Sequence, residues 1–422
     1  MQNSYLGLVY RYTILVMPMV KIGIVGKTNT GKTTLFNAAT LLRAEVGTYP
    51  FTTKKPNVGI GYARSFCVCS EFGVKDNPRN SICIRGFRFI PVELIDLPGL
   101  IKGAWMGKGL GNQFLTVASQ ADALLHVVDA SGSINQAGEL VAPGIGDPIQ
   151  DVLDIEEELT MWFYKILEGS RAKIIKMLES RTTRLIPALA QLLSGLKINK
   201  AHIEEALKLS DLYDKSFERW SNEELKLFAT NLRKISKPTV IVANKMDVDG
   251  AEENYEKLVE AFKPTPVVPC SAEAELALRR AESDGLIEYL PGDEIFRVRS
   301  YEQLSERQRA ALKYIAEKVF EKISRTGVQY AIDVAVFKLL RMNVVYPVED
   351  ENRLADHRGN ILPDAFLMPQ GATIYDLAME IHSELANTML YAIDARTKVR
   401  LPKDYVLRDR DVIKIVAAAG RG

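Results

Sequence analysis

Gly26-Lys27-Thr28-Asn29-Thr30-Gly31-Lys32-Thr33 follows directly on the apolar run Val20-Lys21-Ile22-Gly23-Ile24-Val25. The apolar run predicts a buried parallel strand, and residues 33–42 predict the helix that comes after the loop. The two glycines let the backbone curl so that its N–H groups face phosphate oxygens at the positive end of that helix. The alternative is an ordinary glycine loop between a strand and a helix. The combined pattern favours a loop that binds a nucleoside triphosphate.

Each residue of this loop has an expected role. Lys32 is placed to reach the β- and γ-phosphates, and the hydroxyl of Thr33 to ligate Mg²⁺. The predicted phosphate contacts are completed by Gly26, Asn29, Thr30, Gly31 and Thr34.

Length and composition limit the number of domains and the class of protein. The 422 residues suffice for two or three domains, and 47% hydrophobic with 25% charged residues is typical of globular protein. A net charge of +1 argues against a protein that is basic all over. Contact with nucleic acid would therefore have to come from a local patch, and nothing indicates DNA.

Four cysteines are too few to suggest a disulfide scaffold in a chain of this length, which fits a reducing cytoplasm. Cys67, Cys69 and Cys83 could hold a metal ion. They lack a fourth ligand nearby, and they lie on segments that look like strands. We therefore interpret them as ordinary small apolar residues.

The first 18 residues contain the apolar segment 4–17, which Arg11 interrupts. This segment is too short and too charged to span a bilayer, and unlike an export signal its apolar residues run almost directly into the nucleotide-binding strand. We expect no membrane association. Met17 and Met19 lie just before the first strand, so either is a candidate for the true start of translation, with residues 1–18 as an extension.

A second motif lies at the end of the strand predicted for residues 92–97. It reads Asp96-Leu97-Pro98-Gly99, and in a triphosphate site it would place Asp96 near Mg²⁺ and the Gly99 N–H near the γ-phosphate. The glycine-rich run that follows predicts a mobile switch segment. The alternative is a simple surface turn.

A third motif, Asn244-Lys245-Met246-Asp247, follows the strand predicted for residues 239–243. The Asp247 carboxylate can accept two hydrogen bonds from the guanine edge, whose N1–H and exocyclic amine are both donors. Adenine offers no such pair. Asn244 and Lys245 would fix the loop and cover the base, so the motif predicts a guanine nucleotide, GTP or GDP.

A short fourth motif completes the set. The strand predicted for residues 266–270 leads to Ser271 and Ala272, which are placed to contact the base carbonyl through the backbone. The four motifs occur at strand ends in the order that a doubly wound sheet demands. The predicted fold class is therefore α/β, with a P-loop and a mainly parallel sheet.

The chain resembles the Obg-related branch of the translation-factor-related P-loop GTPases, the branch that contains the YchF proteins. The resemblance rests on Asn37-Ala38-Ala39-Thr40, Tyr49-Pro50-Phe51-Thr52-Thr53, Lys102-Gly103-Ala104 and Gly107-Lys108-Gly109-Leu110-Gly111-Asn112. It implies that Thr53 closes over Mg²⁺ in the triphosphate state, with Thr52 as the alternative. Both could instead be strand threonines that face solvent. YchF proteins that prefer ATP carry glutamate at the position of Asp247, so this chain should prefer GTP.

Hydrolysis is expected to be slow. Many GTPases position the attacking water with a glutamine directly after Asp-x-x-Gly, but this chain has Leu100 there. The resemblance implies that another group or an activating protein substitutes. Some related GTPases with asparagine at the position of Asn29 use it to hold a potassium ion. Alternatively, Asn29 only shapes the loop.

The remaining chain predicts further domains. Residues 19–146 and 237–336 form the two parts of the predicted G domain, the second with following helices. They flank a helical insertion at 147–236, which is entered through a linker at 137–148. Residues 337–418 predict strand, strand, helix, strand, strand, an α+β order, with the second strand over residues 361–368. Within the insertion, Asn199 and Ser221 predict helix starts, and Pro187 predicts a kink or break.

The C-terminal segment resembles the ubiquitin-like (β-grasp) TGS domain. The resemblance rests on Leu362-Pro363, on Thr373-Ile374-Tyr375-Asp376-Leu377-Ala378 and on Asp409-Arg410-Asp411-Val412. It implies contact with the ribosome or structured RNA. Arg396, Lys398, Arg400 and Lys403 could meet phosphates, or they could protect a strand edge. The leading hypothesis is a GTP-dependent switch on the ribosome. The alternatives are a protein-binding adaptor and an ATPase of YchF type.

Overall fold

The computed structural model describes residues 19–41, 57–97, 99, 119–180 and 183–418. The strands in these ranges are β1 (Lys21–Val25), β2 (Val58–Phe66), β3 (Ile82–Ile84), β4 (Phe87–Asp96), β5 (Ala123–Asp129), β6 (Thr239–Asn244), β7 (Val267–Pro269), β8 (Ile287–Glu288), β9 (Arg297–Val298), β10 (Met342–Val348), β11 (Phe366–Pro369), β12 (Met389–Asp394), β13 (Arg400–Leu401) and β14 (Val412–Ala417).

The α-helices in the same ranges are α1 (Lys32–Thr40), α2 (Cys69–Phe72), α3 (Pro148–Glu179), α4 (Leu185–Leu193), α5 (Lys200–Leu209), α6 (Asn222–Ser236), α7 (Ala251–Ala261), α8 (Ala272–Ser283), α9 (Glu306–Ile315), α10 (Glu321–Ile323), α11 (Val328–Asp333), α12 (Ile374–Ile381) and α13 (Ser383–Thr388). Two π-helical turns, Ala316–Phe320 and Val334–Leu339, continue α9 and α11. No helix in the described part of the chain is both long and apolar enough to cross a lipid bilayer.

The central sheet has the strand order β2-β4-β1-β5-β6-β7, and β3 pairs with β4. Strands β4, β1, β5, β6 and β7 are parallel, while β2 and β3 run antiparallel to β4. The predicted mainly parallel α/β sheet is confirmed. Parallel strands bring their carboxyl ends to one edge, which is where such sheets bind ligands. Val25, Asp96, Asp129 and Asn244 are the residues that end there.

The buried strands match the apolar runs in the sequence. Every residue of β5 and β6 is buried, as expected for parallel strands covered on both faces. His126 is a polar residue in the middle of β5. Burial lowers its pKa to about 3, so the imidazole is neutral at physiological pH.

Residues 148–236 form four helices around a core of their own, to which Phe163 contributes a fully buried ring. Asn199 caps α5 and Ser221 forms a capping box with Glu224 on α6, so both predicted helix starts are confirmed. The predicted kink at Pro187 is wrong. This proline lies in the first turn of α4, where its missing N–H removes no hydrogen bond of the helix.

The C-terminal domain has a sheet of order β11-β10-β14-β12-β13, with β10 and β14 parallel and the other pairs antiparallel. This topology confirms the predicted α+β class. The strand predicted over residues 361–368 begins only at Phe366. Leu362 has a left-handed φ of 46°, and its carbonyl accepts a hydrogen bond from Arg88 of the central sheet. A long-range contact therefore replaces the predicted strand pairing.

Residues 67–88, which follow β2 and include the first two residues of β4, dock the C-terminal domain. Glu71 receives two hydrogen bonds from Arg396, at 2.9 and 3.0 Å. Asn80 exchanges two hydrogen bonds with the backbone of Ala365. An apolar cluster joins Val68 to buried residues of β10, and the Arg88 side chain is fully buried beside it. Arg396 thus has a role within the molecule.

Candidate functional site

The loop between β1 and α1 has the curled backbone that the sequence predicts. Gly26 and Gly31 adopt φ values of 147° and 96°, which side chains with a Cβ rarely tolerate. A Cβ atom on Gly31 would lie 2.2 Å from Asn244 Nδ2, and one on Gly26 would lie 2.3 Å from the Val127 carbonyl oxygen. Both glycines are needed because other elements pack directly against the loop.

Lys32 is buried within this loop, where its Nζ donates a hydrogen bond of 2.5 Å to the Lys27 carbonyl. Burial lowers its pKa to about 8, against the opposing charge of Asp96. A lysine held in this way costs free energy of desolvation, which an anionic ligand would offset. The side chain is therefore suited to receive phosphate.

Thr33 and Asp96 face each other across the loop. The Thr33 hydroxyl donates to Asp96 Oδ2 at 2.9 Å, which brings together an alcohol and a carboxylate from α1 and β4. Asp96 Oδ1 is buried, and it has no hydrogen-bond partner among the described residues. Mg²⁺ prefers hard oxygen ligands of this kind. The unpartnered Asp96 Oδ1 is therefore suited to contact Mg²⁺ or a water molecule bound to it.

Asn244 joins the two halves of the site. Its Nδ2 donates to the Thr30 carbonyl at 2.8 Å, and its Oδ1 accepts from the Ala272 N–H at 3.0 Å. The side chain therefore ties the phosphate loop to the loop that follows β7. Both groups lie at the carboxyl edge of the sheet, as the motif order predicts.

Asp247 is held by Ser271, another predicted base residue, and by Tyr314. Its Oδ1 accepts a hydrogen bond of 2.7 Å from the Ser271 hydroxyl, and its backbone carbonyl accepts from the Tyr314 hydroxyl at 3.1 Å. Ser271 also caps the amino terminus of α8. The carboxylate is thus oriented by a neighbour before any ligand is bound. Tyr314 was not found from the sequence, because its helix lies 67 residues downstream.

Gly99 also lies against the phosphate loop. A Cβ atom on it would come within 2.7 Å of Thr28 Oγ1. Thr34 lies in the first turn of α1 and is half-buried. Thr53, with its alternative Thr52, and the switch segment that begins at Leu100 lie outside the described residues.

The loop that follows β5 borders the site, which the sequence did not reveal. Asn29 Nδ2 donates to the Gly138 carbonyl at 2.9 Å. Lys245 Nζ contacts Asp129 Oδ2 at 2.9 Å and Ser133 Oγ at 3.2 Å. The segment interpreted as a linker is therefore packed against the phosphate loop. One residue in the sequence could have indicated that this loop borders the site: Asp129, a carboxylate at the end of a buried strand.

Lys27 forms a second unforeseen link. Its Nζ lies 2.7 Å from Asp151 Oδ1 and 2.9 Å from Asp154 Oδ2, and all three side chains are buried. Burial alone would lower the pKa of Lys27, but the hydrogen bonds and charges of the two carboxylates outweigh it and raise the pKa above its ordinary value. The phosphate loop is thereby fastened to the first helix of the insertion.

Three family models match the chain. Residues 21–159 match the 50S ribosome-binding GTPase model, residues 242–350 match the G4 motif-containing domain of Obg-like YGR210-like GTPases, and residues 359–417 match the TGS domain. The TGS match begins 22 residues after the boundary predicted at residue 337.

Curated relatives match over most of the chain. An uncharacterised GTP-binding protein of Methanocaldococcus jannaschii is 48% identical over 401 residues, covering 95% of this chain and all of the relative. A GTP-binding protein of Schizosaccharomyces pombe is 34% identical, covering 84% and 88%. The ribosome-binding ATPase YchF of Bacillus subtilis is 32% identical over 268 residues, covering 62% of this chain and 68% of the relative.

Solved structures also match over most of the chain. The crystal structure of a GTP-binding protein from Pyrococcus horikoshii has a TM-score of 0.76 at 37% identity, covering 94% of this chain and all of that one. The YchF GTPase of S. pombe has a TM-score of 0.54 at 19% identity, covering 94% and 97%, which shows a shared fold.

Proposed function

Because the chain belongs to the Obg-related P-loop GTPases that end in a TGS domain, a family of GTP-binding proteins and GTP hydrolases, we propose that it is a nucleotide-dependent switch that acts on the ribosome. One observation supports the binding of a nucleotide in this pocket. Asn244 is hydrogen bonded both to Thr30 of the phosphate loop and to Ala272 beside the base motif. A single GTP molecule could therefore contact both ends of one pocket.

The proposed roles of the phosphate residues follow from the geometry. Lys32 would hold the β- and γ-phosphates, and the backbone of the loop from Gly26 to Thr34 would contact the remaining oxygens. The Gly99 N–H would sense the γ-phosphate, since Gly99 lies beside Thr28. These contacts would stabilise charge that develops during phosphoryl transfer, so Lys32 and Gly99 are the proposed catalytic residues together with Thr53.

Asp247 is the proposed selectivity residue. Its carboxylate would accept hydrogen bonds from guanine, while Lys245 would cover the base and the backbone of Ser271 and Ala272 would contact the base carbonyl. Three YchF relatives are described as ribosome-binding ATPases. The aspartate at position 247 favours GTP here, because adenine cannot donate two hydrogen bonds to it.

Mg²⁺ fits the pair formed by Thr33 and Asp96. The unmatched Asp96 Oδ1 supports this assignment, with Asp96 acting through a bound water. Bound Mg²⁺ would neutralise charge on the phosphates. Thr53 is proposed as the additional ligand in the triphosphate state.

Potassium is proposed as a second cation, held by Asn29. Since the side-chain amide nitrogen already donates to the Gly138 carbonyl, the side-chain oxygen is the group left to contact an ion. We expect GTP hydrolysis to be about tenfold faster in KCl than in NaCl at equal ionic strength, which corresponds to about 1.4 kcal/mol of barrier. A phosphate-release assay measures it.

The control for this ion effect is Asn29→Gly. Asn29 has a φ of 65°, so glycine removes the side chain without adding backbone strain. The variant should hydrolyse GTP at the same rate in both salts. Equal rates in the wild type would exclude potassium, and Asn29 would then only shape the loop.

Ribosome association is supported by relatives and by domain content. The YchF relatives are described as ribosome-binding, and one matching family model describes 50S ribosome-binding GTPases. Arg400 and Lys403 are exposed on the TGS domain, whereas Arg396 is held by Glu71. We propose that the exposed pair contacts ribosomal RNA phosphates and that this work takes place in the cytoplasm.

Co-sedimentation with ribosomes tests the proposal. The protein is loaded with GDP or with a non-hydrolysable GTP analogue, and the pelleted fraction is measured across a salt series. We expect more protein in the pellet with the GTP analogue and a steep decrease with salt, because phosphate contacts release counterions.

A double variant separates RNA contact from general charge. Arg400→Ala with Lys403→Ala should weaken co-sedimentation, while Lys173→Ala with Lys176→Ala removes two exposed positive charges from α3 and should not. Absence of the protein from the pellet under every nucleotide would contradict the ribosome proposal. It would favour the adaptor hypothesis, in which the helical insertion recognises a protein.

A further inference from the structure

Four potential metal ligands meet at the base of the docking segment 67–88. They are the thiols of Cys67, Cys69 and Cys83 and the carboxylate of Asp76, and their ligand atoms all lie within 4.8 Å of one another. Cys67 follows β2, Cys69 begins α2 and Cys83 lies on β3. The fold thus supplies the fourth ligand that the sequence pattern lacked.

Two of the distances between ligand atoms agree with a tetrahedron around zinc. Zn–S bonds of about 2.3 Å at tetrahedral angles place two sulfurs about 3.8 Å apart, and a sulfur and a carboxylate oxygen about 3.5 Å apart. The Cys69 and Cys83 sulfurs are 3.7 Å apart, and Cys67 Sγ lies 3.2 Å from Asp76 Oδ2. These two distances agree with a tetrahedral zinc site, and the remaining pairs of ligand atoms lie within 4.8 Å of each other.

Arg88 supplies the charge that such a site needs. Its side chain is fully buried, and Nη2 lies 3.1 Å from Asp76 Oδ2. Three thiolates and one carboxylate carry four negative charges, of which a divalent ion neutralises two and Arg88 a third. The guanidinium also orients the carboxylate, as partners of metal ligands commonly do.

We propose that Cys67, Cys69, Asp76 and Cys83 bind one Zn²⁺ ion. Thiolate ligands in tetrahedral arrangement select zinc over the hard cations Mg²⁺ and Ca²⁺. All four coordination positions come from the protein, which is the arrangement of a structural site. This zinc site lies on the β2–β4 side of the sheet and is separate from the proposed Mg²⁺ position.

The proposed zinc site lies where it can stabilise the contact between the central sheet and the TGS domain. The segment it would brace carries the ion pair of Glu71 with Arg396 and the apolar contact of Val68 with the TGS domain. Only α2 and the three-residue strand β3 give this segment regular structure between β2 and β4. A bound ion would stabilise the conformation of this segment, because metal binding couples to local folding. The surface on which the TGS domain docks would be stabilised with it.

A disulfide between Cys69 and Cys83 is the competing chemistry, since their sulfurs are neighbours. It would leave Cys67 and Asp76 without a common function. It also requires an oxidising compartment, whereas a zinc site keeps its thiolates reduced.

Metal analysis of the full-length wild-type protein tests the proposal. The protein is expressed in medium supplemented with zinc, and its metal content is measured by inductively coupled plasma mass spectrometry. We expect about one zinc ion per chain. After chelation, titration with Co²⁺ should produce the strong visible absorption of tetrahedral thiolate-bound cobalt, which reports ligand type without any assay of activity.

Variants assign the ligands. Cys83→Ser should lower the zinc content at least about tenfold, and Asp76→Asn should weaken zinc retention against a chelator. Cys270→Ser is the matched control, because it removes the one cysteine outside the site and should leave zinc at about one per chain. If Cys83→Ser fails to fold, the cobalt spectrum of the wild type still decides.

Two results would overturn the proposal. One is a wild-type protein with neither zinc nor a tetrahedral cobalt spectrum. The other is an intact mass and peptide map that show Cys69 bonded to Cys83. The measurement does not depend on nucleotide or ribosome binding, so its failure leaves the proposed function standing.

Discussion

Replacing Asp247 with asparagine is expected to lower the affinity for GDP by roughly 10⁴-fold. The amide would present an N–H donor to one of the two donors of the guanine edge, so buried polar groups would be left unpaired. The hydrogen bond from Ser271, 2.7 Å in the wild type, can persist because the amide oxygen still accepts it. Competition against labelled GDP measures the change.

Xanthosine diphosphate provides the control for this substitution. Xanthine carries a carbonyl where guanine carries the exocyclic amine, so the asparagine amide can donate to it. The Asp247→Asn variant should therefore bind the xanthine nucleotide better than GDP. Unchanged GDP affinity in the variant, or displacement of GDP from the wild type by ATP as easily as by GTP, would contradict the assignment of Asp247.

The Gly31→Ala substitution is expected to reduce nucleotide affinity by roughly 10²- to 10³-fold. Two costs combine: about 1–2 kcal/mol for a left-handed backbone with a side chain, and about 1–3 kcal/mol for a lost buried hydrogen bond. The second cost arises because the new Cβ would lie 2.2 Å from Asn244 Nδ2, which donates to the Thr30 carbonyl. Calorimetric titration with GDP measures the affinity.

Gly371→Ala separates the two costs. Gly371 has a φ of 92°, close to the 96° of Gly31, but a Cβ on it would meet no atom within 4 Å. This variant should lose about 1 kcal/mol of unfolding free energy and keep wild-type affinity for GDP. If Gly31→Ala binds GDP as well as Gly371→Ala does, the contact with Asn244 is not needed for nucleotide binding.

The central sheet and its ligand-binding edge were predictable because their causes are local. An apolar strand followed by a polar motif identifies both the strand and the edge at which it ends. The contacts of Thr33 with Asp96 and of Asp247 with Ser271 then follow from strand order alone. The roles assigned to these residues stay predictions until they are measured.

What the sequence did not predict depends on contacts between distant segments. Lys27 looks like an interchangeable loop residue until Asp151 and Asp154 are brought to it across more than 120 residues. Residues 361–365 belong to the predicted strand 361–368, but the Leu362 carbonyl accepts a hydrogen bond from Arg88 and the observed strand begins only at Phe366. Both features depend on partners that lie far away in the sequence, so they cannot be predicted from a short segment alone.

The three cysteines show the same limit for a site. The cysteines are visible in the sequence, but Asp76 carries no mark that distinguishes it from other loop aspartates. Its relevance depends on the turn between α2 and β3, which places its carboxylate 3.2 Å from the Cys67 sulfur. A search restricted to cysteine and histidine therefore undercounts the ligands.

The buried pair of Lys27 with Asp151 and Asp154 makes the helical insertion difficult to remove. A shortened protein that joins residue 146 to residue 237 would lose both carboxylates that neutralise the Lys27 ammonium group. Loss of the partners of a buried charge typically costs about 3–5 kcal/mol, a large share of the stability of an ordinary domain. A shortened protein would therefore also need a neutral residue at position 27.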